Sequence, residues 1–349
     1  MLLAYAMEAE RALLPEWNDD AFCSAVFLAA HHLAPDSVTL LGPGADEVRQ
    51  TVVAPGEVAR RLAEVPLPEV TAAALRSAVT GATDAARYWE EPDGEDLLAA
   101  AEPVRRELRR IAEHITRSPL SQWWTEPLAT DDQWSVSWGD DGADFADSTA
   151  AERLRDWHAR VVDEEIRAER ERPTNPAANW SAEWWSIPPV LCSTRTVFDG
   201  TPAQLWFVED SLGWTRATAR RVSLPPDARV YEVDGAQAWA ALCRRFPVEV
   251  TAQKRHDWYR ATGRNGSWVV PDWARLADEY SGVHLTVAGY LAAAGTAIEV
   301  EAGTASVIAG WAPDETYWLT VTAELGADSV ALLLDDSGED VAWAEEAQH

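Results

Sequence analysis

Apolar residues keep a helical spacing in the first part of this chain and lose it later, and that change limits the fold more than any other feature. Glu95 to Arg117 carries Leu97, Leu98, Val104, Leu108, Ile111 and Ile115 near helical period, with Pro103 placed to start or kink a helix. Stretches 56–65 and 69–79 read as two short helices held apart by Pro66 and Pro68. Asp19-Asp20 is a candidate cap for a helix from Ala21, and Val38 to Leu41 a candidate short strand. Ala151 to Arg172 predicts a charged helix with Leu154, Trp157, Val161 and Ile166 on one face, ended by Pro173 and Pro176. From Pro188 onward the pattern breaks into short pieces. Strands are expected at 190–193, 204–208, 229–233, 283–287, 305–309 and 316–321, and helices at 236–246, 271–280 and 288–294. Long helices do not alternate regularly with these strands, so a doubly wound parallel sheet is not expected. The expected class is α+β: a mainly helical domain over 1–118, a tryptophan-rich connector with the charged helix over 119–187, and a mixed α/β domain over 188–349.

At 349 residues the chain is comfortable for two domains. The net charge of −29 argues for solubility and against non-specific binding to nucleic acid or anionic membranes. No apolar run approaches the length of a bilayer span, and MLLAYAMEAERALL lacks the basic start of a secretory leader. Cys23, Cys192 and Cys243 are far apart and show no CxxC spacing, so neither a disulfide framework nor a zinc knuckle is indicated, and a reducing cytoplasm is the simplest home. Phosphate-loop, dinucleotide, HExxH and GxSxG patterns are missing. His31-His32 reads as a helix-end surface pair, because adjacent helix positions point about 100° apart and make a poor metal site. No metal is expected.

Charge is unevenly distributed. Arg216 to Arg275 holds eleven basic residues against six acids, and fourteen acids with no basic residue follow. Within that strip Arg244, Arg245, Lys254, Arg255, Arg260 and Arg264 are interleaved with Trp258 and Tyr259. Such a mixture suits an anionic, ring-bearing ligand such as a nucleotide, or else a solvated loop balancing an acidic surface. VLCSTR runs from an apolar strand into hydroxyls and an arginine, so Ser193, Thr194 and Arg195 are candidates for a phosphate or ribose; the plainer reading is a turn with a surface arginine. In YSGVHLTVAGYL, His284 and Thr286 share a strand face, and Tyr290 offers a ring for stacking or a core tyrosine. In GWAPDETYWL, Asp314 and Glu315 point to opposite faces of an extended segment, so one of them serves any given site.

In this order the three segments resemble the ADP-ribosyltransferase-like proteins over about residues 188–321. That resemblance implies a small mixed α/β domain binding NAD between two small sheets. It gives Arg195 the first motif place, the His284–Tyr290 segment the second, with Thr286 or Tyr290, and Asp314 or Glu315 the acid. Ser193, Thr194, His284, Arg255 and Arg260 then become candidate NAD contacts. The implied activity is cleavage of the nicotinamide–ribose bond, with transfer of ADP-ribose to an unknown acceptor. The chemistry is coherent: a carboxylate stabilises the oxocarbenium-like state, an aromatic wall holds nicotinamide, and arginine neutralises diphosphate. Two other classes compete. One is a non-catalytic interaction module using the helical half and the 19 tryptophans. The other is a glycan-binding or glycan-cleaving protein with tryptophan platforms and a carboxylate pair.

Overall fold

The computed structural model describes residues 1–13, 21–35, 40–42, 44–138, 148–211, 213–320, 324–336 and 341–346. The chain is α+β and divides into two compact units: Met1–Ala82 with Glu91–Trp123, and Thr83–Glu90 with Trp124–His349.

The first unit is built on α1 (Leu2–Leu13), α2 (Phe22–Leu33), α3 (Ala45–Gln50), α4 (Pro55–Glu64), α5 (Ala72–Asp84), α6 (Gly94–Ala100) and α7 (Glu102–Thr116). The single helix expected from Glu95 is two, because the chain turns extended at Ala101 and Pro103 sits in the first turn of α7. Val104, Leu108, Ile111 and Ile115 form the buried stripe of α7, which packs on α4 and α1. The Asp19-Asp20 cap lies outside the described residues, as do Val38 and Thr39 of the expected strand, and Leu40 and Leu41 belong to no strand. Instead Glu10 of α1 accepts from the amides of Phe22 and Cys23, both at 2.7 Å, and satisfies the start of α2 from a neighbouring helix. The His31-His32 surface pair needs correcting: His31 is buried, and His32 Nδ1 lies 3.0 Å from the Leu28 carbonyl. Gly94 opens α6 where it meets α2, and a Cβ there would stand 2.0 Å from the Ala30 oxygen.

The second unit adds α8 (Ala150–Glu171), α9 (Ala236–Arg245), α10 (Thr251–Thr262), α11 (Trp273–Leu276) and α12 (Val287–Ala293). Its strands are β1 (Trp134–Trp138), β2 (Cys192–Ser193), β3 (Arg216–Ser223), β4 (Val230–Val233), β5 (Pro247–Glu249), β6 (Ser267–Pro271), β7 (Gly282–Leu285), β8 (Ile298–Glu301), β9 (Thr304–Ser306), β10 (Thr316–Trp318), β11 (Glu324–Asp335) and β12 (Ala342–Glu345). They form three sheets, ordered β1-β3-β11-β12, β2-β10-β7-β4 and β5-β6-β9-β8. In the second sheet β10 is antiparallel to both β2 and β7, while β4 runs parallel to β7.

Several expectations are corrected. The 204–208 run is no strand: Ala203–Leu205 is a 3-10 turn whose amides fold back on Pro202 and Ala203. Ile166 is exposed, because the buried stripe of α8 runs Leu154, Trp157, Val161 and Ala168. Pro271 ends β6, and the helix after it is the short α11, capped by Asp272 accepting from the Arg275 amide at 3.2 Å. β1 pairs with the distant β3. Tryptophan fills the core here. Trp239, Trp273 and Trp311 form a triangle with ring centroids 6.0–6.1 Å apart, and Trp258 meets Trp268 edge-on at 5.3 Å. Among the described residues no helix is long and apolar enough to cross a membrane.

Replacing Gly94 with Ala forces α6 away from α2. The expected cost is about 1–3 kcal/mol, read as a lower urea midpoint for the transition that reports on the first unit.

Candidate functional site

GWAPDETYWL folds as a tight turn entering β10. Pro313 sets the first corner and Asp314 takes the second with φ of 67°, while Glu315 N donates to the Ala312 carbonyl at 3.3 Å. Aspartate is among the few residues that enter the left-handed region at modest cost. Asp314 N donates to the Leu285 carbonyl and Leu285 N to the Glu315 carbonyl, at 2.9 and 3.0 Å, so β7 holds the turn from outside. The reversal sends the two neighbouring carboxyls into different surroundings.

Asp314 is buried in a chain of charge. Its Oδ1 accepts from Arg195 Nε at 2.7 Å and its Oδ2 from the Arg195 amide at 2.8 Å. His284 Nε2 lies 3.4 Å from the same Oδ1, and His284 Nδ1 lies 2.6 Å from Glu232 Oε2. Arg195 Nη2 also donates to the Pro127 carbonyl at 3.0 Å. Burial opposes a charge on His284, but the hydrogen bonds and attraction of Asp314 and Glu232 outweigh it and raise its pKa.

Glu315 faces the other way. Its Oε2 accepts from Ala312 N at 2.9 Å and from the Tyr317 hydroxyl at 3.1 Å. Burial dominates these bonds and pushes its pKa up to about 7. Glu315 lines a cavity of about 240 Å³ together with Trp138, Trp184, Trp185, Phe207 and Glu209. The carboxyl of Glu209 titrates well above the usual range, first because it is buried and further because Glu315 is near. Two carboxyls whose proton affinity is raised, chiefly by burial, therefore share an aromatic cavity, a combination typical of binding and catalytic clefts.

No protein-family model matches the chain, and neither a curated protein nor a solved structure does. The site rests on its own geometry.

The tryptophan wall is held by the cationic strip. Lys254 Nζ on α10 donates to the carbonyls of Glu183 and Trp185 at 2.8 and 2.9 Å, and Trp258 Nε1 donates to the Trp184 carbonyl at 2.9 Å. Asp257 accepts from Ser181 Oγ at 2.7 Å and from Ala182 N at 3.0 Å. Ser186 N closes the far end on the Ala309 carbonyl at 2.8 Å. Burial drives the Lys254 pKa down to about 8. Gly310 has φ of 77°, and a Cβ there would stand 2.7 Å from Cβ of Trp185, so glycine lets the turn pass under the wall.

Of the residues singled out in the sequence, Arg195, His284 and Asp314 come together, but as a buried network and not in the cavity wall. The guanidinium of Arg195 meets Asp314 and the Pro127 carbonyl, with Glu126 at 3.6 Å. Ser193 Oγ donates to Gln133 at 2.6 Å and accepts from Trp318 Nε1 at 2.8 Å; Thr194 Oγ1 accepts from Gln204 N at 3.1 Å. Thr286 caps α12 by accepting from Gly289 N at 2.9 Å, and Tyr290 is a core tyrosine whose hydroxyl lies 3.3 Å from that of Tyr88. Arg255 pairs with Glu169. Arg260 serves Asp257 and the carbonyls of Trp89 and Trp180. In this structure internal partners occupy these side chains. Glu209, Trp138 and Phe207 were not singled out as site residues; an acid closing the apolar run in LWFVE is the faint signal for Glu209.

Two outcomes follow from the charges. Asp314→Ala leaves Arg195 buried without its carboxylate and is expected to cost about 3–5 kcal/mol, measurable by denaturant unfolding. Glu315 and His284 both hold protons more tightly folded than unfolded. Their stabilisation is complete below the unfolded pKa values and is lost as pH climbs through the folded ones. The melting temperature should therefore fall from about pH 4.5 to about pH 7 as the Glu315 contribution is lost, and further above pH 6.5 as that of His284 is lost, and Glu315→Gln should recover up to about 3 kcal/mol above pH 7. Lys254, with its lowered pKa of about 8, acts in the opposite direction only above that pH.

Proposed function

We propose that the protein cleaves the bond between nicotinamide and ribose in NAD, with Glu315 as the carboxylate facing the sugar, and passes ADP-ribose to water or another acceptor. The resemblance of the three segments supplies the substrate. The observation that carries the chemistry is Glu315, a carboxyl with a pKa of about 7 in the wall of a tryptophan-lined cavity. At about 240 Å³ the cavity is smaller than the ~300–1,000 Å³ of sites that enclose a whole drug-sized ligand. It suits one planar ring at the reacting end of a larger molecule.

In this reaction the ribose C1′–N bond breaks and its electron pair stays on the nicotinamide nitrogen, which is neutral on leaving. Positive charge develops on the ribose, and ionised Glu315 stabilises it at close range in a largely apolar wall. Water or another nucleophile then bonds to C1′ and gives up its proton. Tryptophan faces hold the ring and exclude bulk water. Asp314, Arg195 and His284 act as positioning residues: they fix the turn from which Glu315 projects.

The ionised form of Glu315 is the active one, so nicotinamide release should rise about tenfold from pH 6 to pH 8 around a pKa near 7. Glu315→Gln should lower the rate by about 100-fold or more without loss of fold. Nicotinamide release from NAD by purified protein, alone and with lysate, is the measurement. A Glu315→Gln protein as active as the parent would end this reading.

A further inference from the structure

We infer that Glu209 recognises a primary carboxamide on the planar ring held in the cavity, one carboxyl oxygen accepting from the amide nitrogen and the other donating to the amide oxygen. Glu209 stands in the same wall as Trp184, Trp185 and Phe207. Its Oε1 is buried and has no hydrogen-bond partner among the described residues. An unmade bond of this kind costs about 1–3 kcal/mol, so the oxygen is poised for a ligand group. The rest of the carboxyl is oriented: the Tyr88 hydroxyl and the Gly310 amide lie against it, and Tyr88 is in turn 3.3 Å from the Tyr290 hydroxyl. Tyr88 and Tyr290 are both buried, which limits how far the carboxyl can swing.

Burial and the nearby Glu315 carboxyl both favour the protonated form of Glu209. A protonated carboxyl presents one donor and one acceptor side by side, and a primary carboxamide is the matching pair. A ring bearing a carboxylate would bring a further negative charge to a wall that already holds two acids, and would be rejected. The assignment rests on the proposed cleavage reaction for the identity of the ring, nicotinamide, and on the cavity for the chemistry. It makes Glu209 a specificity-determining residue distinct from Glu315.

The test is titration of the full chain with nicotinamide, benzamide, benzoate and adenine, read by calorimetry and by tryptophan fluorescence, with NAD cleavage followed in parallel. Nicotinamide and benzamide should bind, and benzoate and adenine should bind about tenfold or more weakly than benzamide. Glu209→Gln, whose amide offers the same donor and acceptor, should stay within about threefold for the amides. Glu209→Leu should weaken them about tenfold or more, and circular dichroism and melting will show whether it is folded. If it does not fold, the comparison of benzamide with benzoate in the parent protein decides. Equal binding of benzoate or adenine, unchanged amide binding by folded Glu209→Leu, or no amide binding at all overturns the assignment. NAD cleavage without amide selectivity would leave the reaction standing and remove this role. Amide selectivity without cleavage would do the reverse.

Discussion

The buried pair of Asp314 and Arg195 is the interaction on which the second unit turns. One carboxylate receives both the side chain and the backbone amide of Arg195, so β2 and the turn before β10 are locked in register at a single residue. His284 brings β7 to the same oxygen and Glu232 extends the chain to β4. All four strands of the second sheet are thus joined by side-chain charge as well as by backbone ladders. A buried ion pair is weak as a source of net stability, because desolvation offsets much of its attraction. Its effect here is geometric: it selects the left-handed conformation of Asp314 and thereby sends Glu315 toward the cavity.

The internal use of cations accounts for a second feature. Lys254 and Arg260 donate to backbone carbonyls of Glu183, Trp185, Trp89 and Trp180, all outside helices and strands, while Arg264 donates to the Gly303 carbonyl in the turn after β8. A loop such as 173–189 carries carbonyls that no sheet or helix satisfies, and leaving them buried and unpaired would be costly. Cationic side chains reaching in from α10 satisfy them and hold Trp184 and Trp185 in place. The local excess of positive charge in an acidic chain thereby becomes scaffolding for an aromatic wall.

Much of the fold was legible. Pro103 marked the start of α7, the helical spacing marked its buried stripe, and GVHL and VYEV marked strands that lie side by side. The expectations that failed share a cause. LWFV has strand composition, but Pro202 and the turn at Ala203 override it. Ile166 fits a loose helical pattern but lies off the 154–157–161–168 stripe that meets the core. Arg195, His284 and Asp314 came together, yet their roles could not be read, because a charged side chain in a sequence does not reveal whether its partner will be a ligand or another part of the chain.

Sequence by itself determined the α+β class, the change from helices to short strands and the strongly acidic balance. These follow from periodicity, turn residues and order, all local properties of the chain. Only the tertiary structure decided which acid faces the cavity, that Arg195 is consumed by Asp314, and that Glu209 and the Trp184-Trp185 pair complete the wall. Those outcomes depend on a positive φ at Asp314 and on contacts between residues more than a hundred positions apart. No local pattern encodes them, because side-chain alternation holds along an extended strand and fails at the turn that precedes it.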